Sequence, residues 1–279
     1  MLNTETIFPY LDGSEATLET LHRYCKAVDA IPRAHALVQP RWEHLGLSIF
    51  SKGFETTSMS LPGGGTFSVI MDLTEHRTIL KTSSGESIFV EMAAGLSEKE
   101  FGERVIRAVA ELGLDGKYDR EKFSDDEPCE YDPQSAEQYL IVLKQIDRIF
   151  KKRRAMLSGE CSPVLLWPHG FDLGFVWFGT RIVTYEENGN ILRAPAQLNL
   201  GFSPGEPSQS KPYFYSNPWP FEKDKLVDHL LPAGASWFSA GWNGSLLPYR
   251  ELVNDIHAES RLLEYAQAVF EIAAPSLMA

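Results

Sequence analysis

The spacing of apolar residues predicts a helix near the start of the chain. Ser14 stands where an N-cap is expected, and the apolar positions that follow recur every three or four residues. These positions are Leu18, Leu21, Cys25 and Val28. The pattern gives the helix one apolar face, which has to pack against another element.

Between residues 45 and 92 the period changes to two. Apolar residues alternate with polar ones along residues 66–74, with Ile70 as the one apolar residue on the other face, and turn signals interrupt the stretch at 62–65, 74–76 and 83–85. The apolar set is Phe67, Val69, Met71 and Leu73. Such alternation predicts an antiparallel meander of about four or five strands with one largely polar face. A helix is expected to cover the other face.

Three further helices are indicated. Ser97 and Glu100 have the spacing of a capping box, and Gly113 closes the helix that follows. Asp132 precedes Pro133 at the start of the longest helix, which ends in the basic run 151–154. The last helix begins near residue 258, and we expect Pro275 to stop it.

The second half, residues 161–279, is again strand-like and is richer in aromatic residues. Asn188-Gly189 between two apolar runs predicts a tight hairpin. The fold class is therefore α+β, with mainly antiparallel sheet covered by helices. We divide the chain into halves 1–160 and 161–279 of one compact domain. The fragments FSKGFETTSM and WPHGFDLGFV, at 50–59 and 167–176, favour an internal duplication of a β-meander-plus-helix unit, with chance agreement as the alternative.

Composition narrows the classes of function. The net charge of −12 argues against binding to nucleic acid or to an anionic membrane, because both require a clustered basic surface. The basic run 151–154 is interpreted as a solvated helix end that complements the helix dipole. Three widely spaced cysteines, the lack of a signal-peptide pattern and the lack of a long apolar stretch predict a cytoplasmic protein.

The familiar cofactor and metal motifs are missing from the sequence. Neither a Walker A sequence, a dinucleotide-binding glycine motif nor a nucleophile elbow occurs. The seven histidines and three cysteines show no zinc-ligand spacing. We therefore predict no cofactor and no metal, and whether the protein is an enzyme stays open.

One polar pair interrupts the apolar stretch VLLWPHGFDLGFVWF, residues 164–178. If the chain bends at Gly170, Asp172 orients the His169 imidazole and makes it a general base. Alternatively, His169 is an exposed turn residue, and Asp172 bonds to backbone amides or pairs with Arg181 or Arg41. Both interpretations remain open for Asp172.

Aromatic residues give the stronger signal for a binding site. Five of the six tryptophans lie beyond residue 160, several of them in loops rich in Pro, Gly, Asn and Ser. Rings on rigid loops beside polar side chains are typical of small-molecule sites, and large rings are also ordinary core material. The predicted ligand-binding residues are Trp219, Trp242, Tyr215, Asn217, Asn243, Tyr213, Trp237 and Arg41.

Several long segments of the chain have a recognisable pattern, among them RWEHLGLSIFSKGFETTSMSLPGGG, SPVLLWPHGFDLGFVWFGTR, PYFYSNPWPF and LPAGASWFSAGWNGSLLPY. These segments resemble a bacterial family of uncharacterised proteins known only as a domain of unknown function. The resemblance extends from about Trp42 to Tyr249. It implies membership of the family, but it implies no reaction.

The favoured function is therefore binding of a small organic ligand in an aromatic-lined cavity of the second half. The first alternative is a hydrolase or lyase with His169 as base and Asp172 as its orienting partner. The second is a protein-interaction module whose exposed aromatic loops contact another chain.

Overall fold

The computed structural model describes residues 8–206 and 209–279 of the chain. Its helices are α1 (Glu15–His35), α2 (Glu98–Glu111), α3 (Pro133–Ala155), α4 (Lys223–Leu226) and α5 (Ala258–Leu277). Short 3-10 helices occupy Pro40–Leu45, Arg120–Phe123 and Tyr249–Leu252. The α+β prediction is confirmed, since these helices accompany two antiparallel sheets.

The first sheet contains β1 (Ser48–Ile49), β2 (Gly53–Glu55), β3 (Met59–Ser60), β4 (Thr66–Asp72), β5 (Arg77–Thr82) and β6 (Ser87–Glu91). Its order is β1-β2-β4-β5-β6, and β3 pairs with β4. The alternating residues of β4 are buried, as the period of two predicted, because that face packs into the core.

The second sheet contains β7 (Glu160–Cys161), β8 (Leu165–Trp167), β9 (Asp172–Glu187), β10 (Asn190–Ser203), β11 (Tyr213–Ser216), β12 (Pro218–Trp219), β13 (Ser236–Phe238) and β14 (Gly244–Pro248). Its main order is β13-β14-β11-β10-β9-β7, with β12 beside β10. The predicted hairpin joins β9 to β10, and Asn188 and Gly189 have φ values of 52° and 77° there.

The chain forms two compact units. Of the described residues, one unit comprises 11–144 and 165–172, and the other comprises 8–10, 145–164, 173–206 and 209–279. We call them the first-sheet unit and the second-sheet unit. The segment 165–172, which carries His169 and Asp172, is thus part of the first-sheet unit. The structure does not confirm an internal duplication.

Helices α1 and α2 form the helical layer of the first-sheet unit. The predicted apolar face of α1 is buried, and the Tyr24 ring stacks on Phe101 of α2 with ring centroids 4.0 Å apart. The Ser97 hydroxyl accepts the Glu100 backbone N–H at 3.1 Å, so the predicted cap of α2 is confirmed.

Of two predictions about the other helices, one was wrong and the other held for three of four residues. Helix α5 continues through Pro275 to Leu277, whereas the sequence predicted that this proline would stop it. The basic run at the end of α3 is not wholly solvated either, because Arg153 is only 5% exposed. A run of cations on a helix covers more than one face, and one of these faces is the core side.

Candidate functional site

Three of the five predicted ligand-binding aromatics, Tyr213, Tyr215 and Trp242, contact one another on one face of the second sheet, around β11. Side chains alternate along a strand, so Phe214 and Ser216 point to one face while Tyr213 and Tyr215 point to the other. Phe214 packs into the core against Phe150 of α3. The two tyrosines therefore occupy the face of the second sheet opposite α3.

Trp242 is the centre of this ring cluster. Its ring lies nearly parallel to that of Tyr213, with centroids 6.0 Å and planes 18° apart. It contacts Phe238 at 4.6 Å and presents its edge to Tyr215 at 6.0 Å. We call Tyr213, Tyr215, Phe238 and Trp242 the aromatic platform. Tyr213 is buried, whereas Tyr215, Phe238 and Trp242 are each partly exposed, so three of the four rings reach the surface.

Two glycines make room for the platform. A Cβ on Gly201 would lie 2.2 Å from the Tyr215 ring, so this tyrosine covers the bare backbone of its neighbour strand. A Cβ on Gly244 would lie 2.8 Å from Trp242 and 2.9 Å from the Asn217 amide. Once two strands are paired, a glycine that lies opposite an aromatic residue indicates this kind of packing.

Polar groups orient the rim of the platform. The Trp242 indole N–H donates to Glu206 Oε1 at 2.8 Å. The Asn217 side-chain amide donates to the backbone carbonyl of Asn243 at 2.9 Å, and its backbone N–H donates to Asn199 Oδ1 at 2.5 Å. Asn243 itself is exposed, so its side-chain amide faces solvent beside the rings.

Three of the predicted ligand-binding residues lie elsewhere. The Trp219 ring meets Tyr185 edge-on at 5.3 Å. Trp237 meets Phe221 at 6.2 Å, and its indole N–H donates to the carbonyl of His229. Arg41 is exposed in a 3-10 helix of the first-sheet unit.

His169 and Asp172 flank a sharp turn. The His169 side chain is exposed, and its ring meets the edge of Trp167 at 6.2 Å. The backbone carbonyl of His169 accepts a hydrogen bond from His22 Nε2 at 3.1 Å. Between the two residues of the pair, Phe171 has a φ of 51°, so the bend that the sequence placed at Gly170 falls on the next residue.

A polar stripe on α1 faces this turn. His22 stacks on Phe171 with planes 7° apart, and Asp29 bonds to the Arg33 guanidinium at 2.5 Å. Burial lowers the pKa of His22, while the bond to the His169 carbonyl acts in the opposite direction. Burial raises the pKa of Asp29, and Arg33 acts against this rise. Among the described residues, Asp29 Oδ1 has no hydrogen-bond partner.

The 3-10 helix after α1 adds another histidine. His44 is 3% exposed, and its Nδ1 accepts the Gln39 backbone N–H at 3.1 Å, which places the ring proton on Nε2. Burial lowers the pKa of His44. The adjacent Arg41 and Trp42 have φ values of 59° and 60°, a conformation that side chains of this size rarely adopt.

The comparisons with known proteins identify the family. A model described as a family of unknown function, DUF5996, matches residues 8–277. The chain belongs to this family. The match spans residues of both compact units, and the predicted membership of an uncharacterised family is confirmed. The curated proteins contain no match, and neither do the solved structures.

The sequence identified the aromatic platform in part. The clustering of tryptophans pointed to Trp242 and its tyrosines, but Phe238 and Glu206 were missed because each lies in a different loop or short strand. His22, Asp29 and His44 were also missed. The spacing of His22 and Asp29 on α1 is seven residues, which is the one sequence signal that places them on the same face.

The described residues include no helix long and apolar enough to cross a membrane. The cytoplasmic location and the absence of nucleic-acid partners stay predictions.

Proposed function

We propose that this protein binds a small, flat organic molecule on the aromatic platform. The observation that supports this most is the half-buried Trp242 ring, which other rings hold in place and a carboxylate orients through its indole N–H. A ring fixed in this way loses little conformational freedom when a ligand stacks on it. The exposed amide of Asn243 at the rim supplies a directional hydrogen bond.

Charge favours a neutral or cationic ligand. Glu206 lies at the platform, and the whole chain has a net charge of −12. The face of an aromatic ring also attracts cations. An anionic ligand would therefore meet unfavourable electrostatics at this surface, whereas an ammonium group would not.

Binding of matched indole compounds tests the proposal. Calorimetric titration with tryptamine, indole and indole-3-acetate compares a cation, a neutral molecule and an anion with the same ring. We expect the affinity to fall in that order. Trp242→Ala should weaken tryptamine binding by about tenfold or more, equivalent to ~1.4 kcal/mol.

Trp42→Ala is the matched control, because Trp42 is 62% exposed and lies in the other unit. It should leave tryptamine binding unchanged. Trp242→Phe keeps a ring but loses the bond to Glu206, and we expect an intermediate affinity. Equal binding of the three compounds, or an affinity unaffected by Trp242→Ala, would contradict the proposal.

Acid–base catalysis beside His169 is a second candidate. The observation that favours it is a group of shifted pKa values around the turn. The pKa values of His22 and His44 are lowered, and the pKa of Asp29 is raised. Such groupings are common in active sites. The side chain of His169, next to this group, is exposed to solvent, and Asp172 lies just beyond the turn.

Hydrolysis of a panel of p-nitrophenyl esters tests this second candidate. We expect His169→Ala to reduce turnover at least a hundredfold, in line with the usual contribution of a general base, with little change in melting temperature. His229→Ala is the control, since this histidine is also exposed. Turnover that is absent, or equal in the two variants, would exclude His169 as the base. The interaction-module alternative stays a prediction.

A further inference from the structure

Arg153 is a buried cation whose hydrogen-bond acceptors are uncharged. Its guanidinium donates to Gln267 Oε1 at 2.5 Å and to the Ala266 carbonyl at 3.5 Å. The Phe270 ring covers one side, 5.3 Å from Cζ. Burying a charge without an opposite charge is costly, so this arrangement requires an explanation.

The other cations of the basic run are satisfied differently. Lys151 pairs with Asp147 at 2.6 Å, and Lys152 pairs with Glu259 at 2.8 Å. Arg154 is exposed and donates to the Ser162 carbonyl at 2.7 Å. Arg153 thus differs from its neighbours both in burial and in the kind of acceptor it contacts.

Part of the charge is compensated indirectly. Gln267 accepts from Arg153 and donates to Glu271 Oε1 at 2.6 Å, so an amide connects the guanidinium to an exposed carboxylate. The carbonyl end of α3 also favours a cation near its last turn. Neither contact puts a negative charge directly on the guanidinium.

A small cavity adjoins Arg153. It has a volume of about 20 Å³, and its walls include Arg153, Phe175, Trp177, Leu198, Leu200 and Ser216. The volume suffices for one water-sized occupant. Apart from Arg153, Asn199 and Ser216, the lining residues are apolar. The Ser216 hydroxyl already donates to the Asn199 carbonyl at 2.5 Å, and Asn199 Oδ1 already accepts the Asn217 backbone N–H. Arg153 is therefore the charged residue that an occupant would meet.

We propose that this cavity binds a small monovalent anion, either a halide or the carboxylate end of a short acid. A water molecule would solvate Arg153, but it would not neutralise it, whereas an anion does both. The site is separate from the aromatic platform, because Ser216 and Tyr215 point to opposite faces of the second sheet. Its ligand has the opposite charge preference as well.

Anion-specific stabilisation tests the proposal in solution. Melting temperatures are measured in the sodium salts of chloride, formate, propionate and gluconate at equal ionic strength. Binding to the folded state should raise the melting temperature in 0.3 M chloride or formate by about 2 to 4 °C above that in gluconate. An equal rise in propionate would identify the carboxylate end of a longer acid, whereas a rise confined to chloride and formate would identify a free small ion. Both results support the site.

Variants of two adjacent arginines locate the effect. Arg153→Met should abolish the difference between formate and gluconate, while Arg154→Gln, the exposed neighbour, should retain it. If Arg153→Met fails to fold, crystals of the unaltered protein soaked in bromide test the site instead. An anomalous peak beside the Arg153 guanidinium supports the site. Bromide ordered elsewhere but not there, or identical melting temperatures in all four salts, would overturn the proposal.

Discussion

Phe171→Ala is expected to lower the free energy of unfolding by about 3 to 5 kcal/mol, as for other large buried aromatic residues. Phe171 is 1% exposed and packs against the rings of His22, Phe54 and Tyr139 at 5.5 to 6.2 Å. Removing its ring leaves a cavity that these neighbours cannot fill without moving. Urea unfolding followed by circular dichroism measures the loss.

The same position should reverse the usual order of alanine and glycine. Because Phe171 has a φ of 51°, an alanine there keeps the strain of the left-handed region, and a glycine does not. We therefore expect Phe171→Gly to be more stable than Phe171→Ala by about 1 kcal/mol. Phe67, which is buried in strand β4, is the control, and there the glycine variant should be the less stable one. If the alanine variant were the more stable one at both positions, the backbone at Phe171 would not be strained.

Gly53→Ala is expected to destabilise the first sheet by about 3 kcal/mol, the upper end of the usual range for overpacking. A Cβ at Gly53 would lie 1.8 Å from the backbone carbonyl oxygen of Met71 on the paired strand β4. Backbone atoms of a paired strand cannot turn aside as a side chain can. The strands would have to separate, with loss of their hydrogen bonds.

Gly63→Ala is the matched control for this substitution. Gly63 lies in the turn before β4, and a Cβ there would have no atom within 4 Å. Its midpoint of urea unfolding should equal that of the unaltered protein within error. If Gly53→Ala also left the midpoint unchanged, the close pairing of β2 with β4 would be wrong.

The elements with a strong local signal were predictable from the sequence. The apolar face of α1, the Ser97 cap and the Asn188-Gly189 turn depend on residues close together in the chain, and all three were confirmed. Pro275 was misjudged because the helix runs only as far as Leu277, and local patterns do not resolve a helix boundary to within two residues. Arg153 was misjudged because its burial depends on α5, more than a hundred residues later.

The candidate site was only partly predictable for a similar reason. Composition identified the tryptophan-rich loops, yet it could not separate Trp242 from Trp219, because their surroundings are set by strand pairing. Glu206 contacts Trp242 across 36 residues of sequence, and no local pattern indicates such a contact. The turn at residues 168–172 was predicted from its glycine, but the backbone strain falls on Phe171 instead.

The most direct test of ligand binding at the platform is the indole N–H region of the ¹H–¹⁵N NMR spectrum. Six tryptophans give separate indole signals, which can be assigned by single substitutions. Addition of tryptamine should move the Trp242 signal, whose N–H bonds to Glu206, and leave the buried Trp177 signal in place. If the Trp242 signal stays fixed while others move, or if none moves at millimolar tryptamine, the platform is not the binding site.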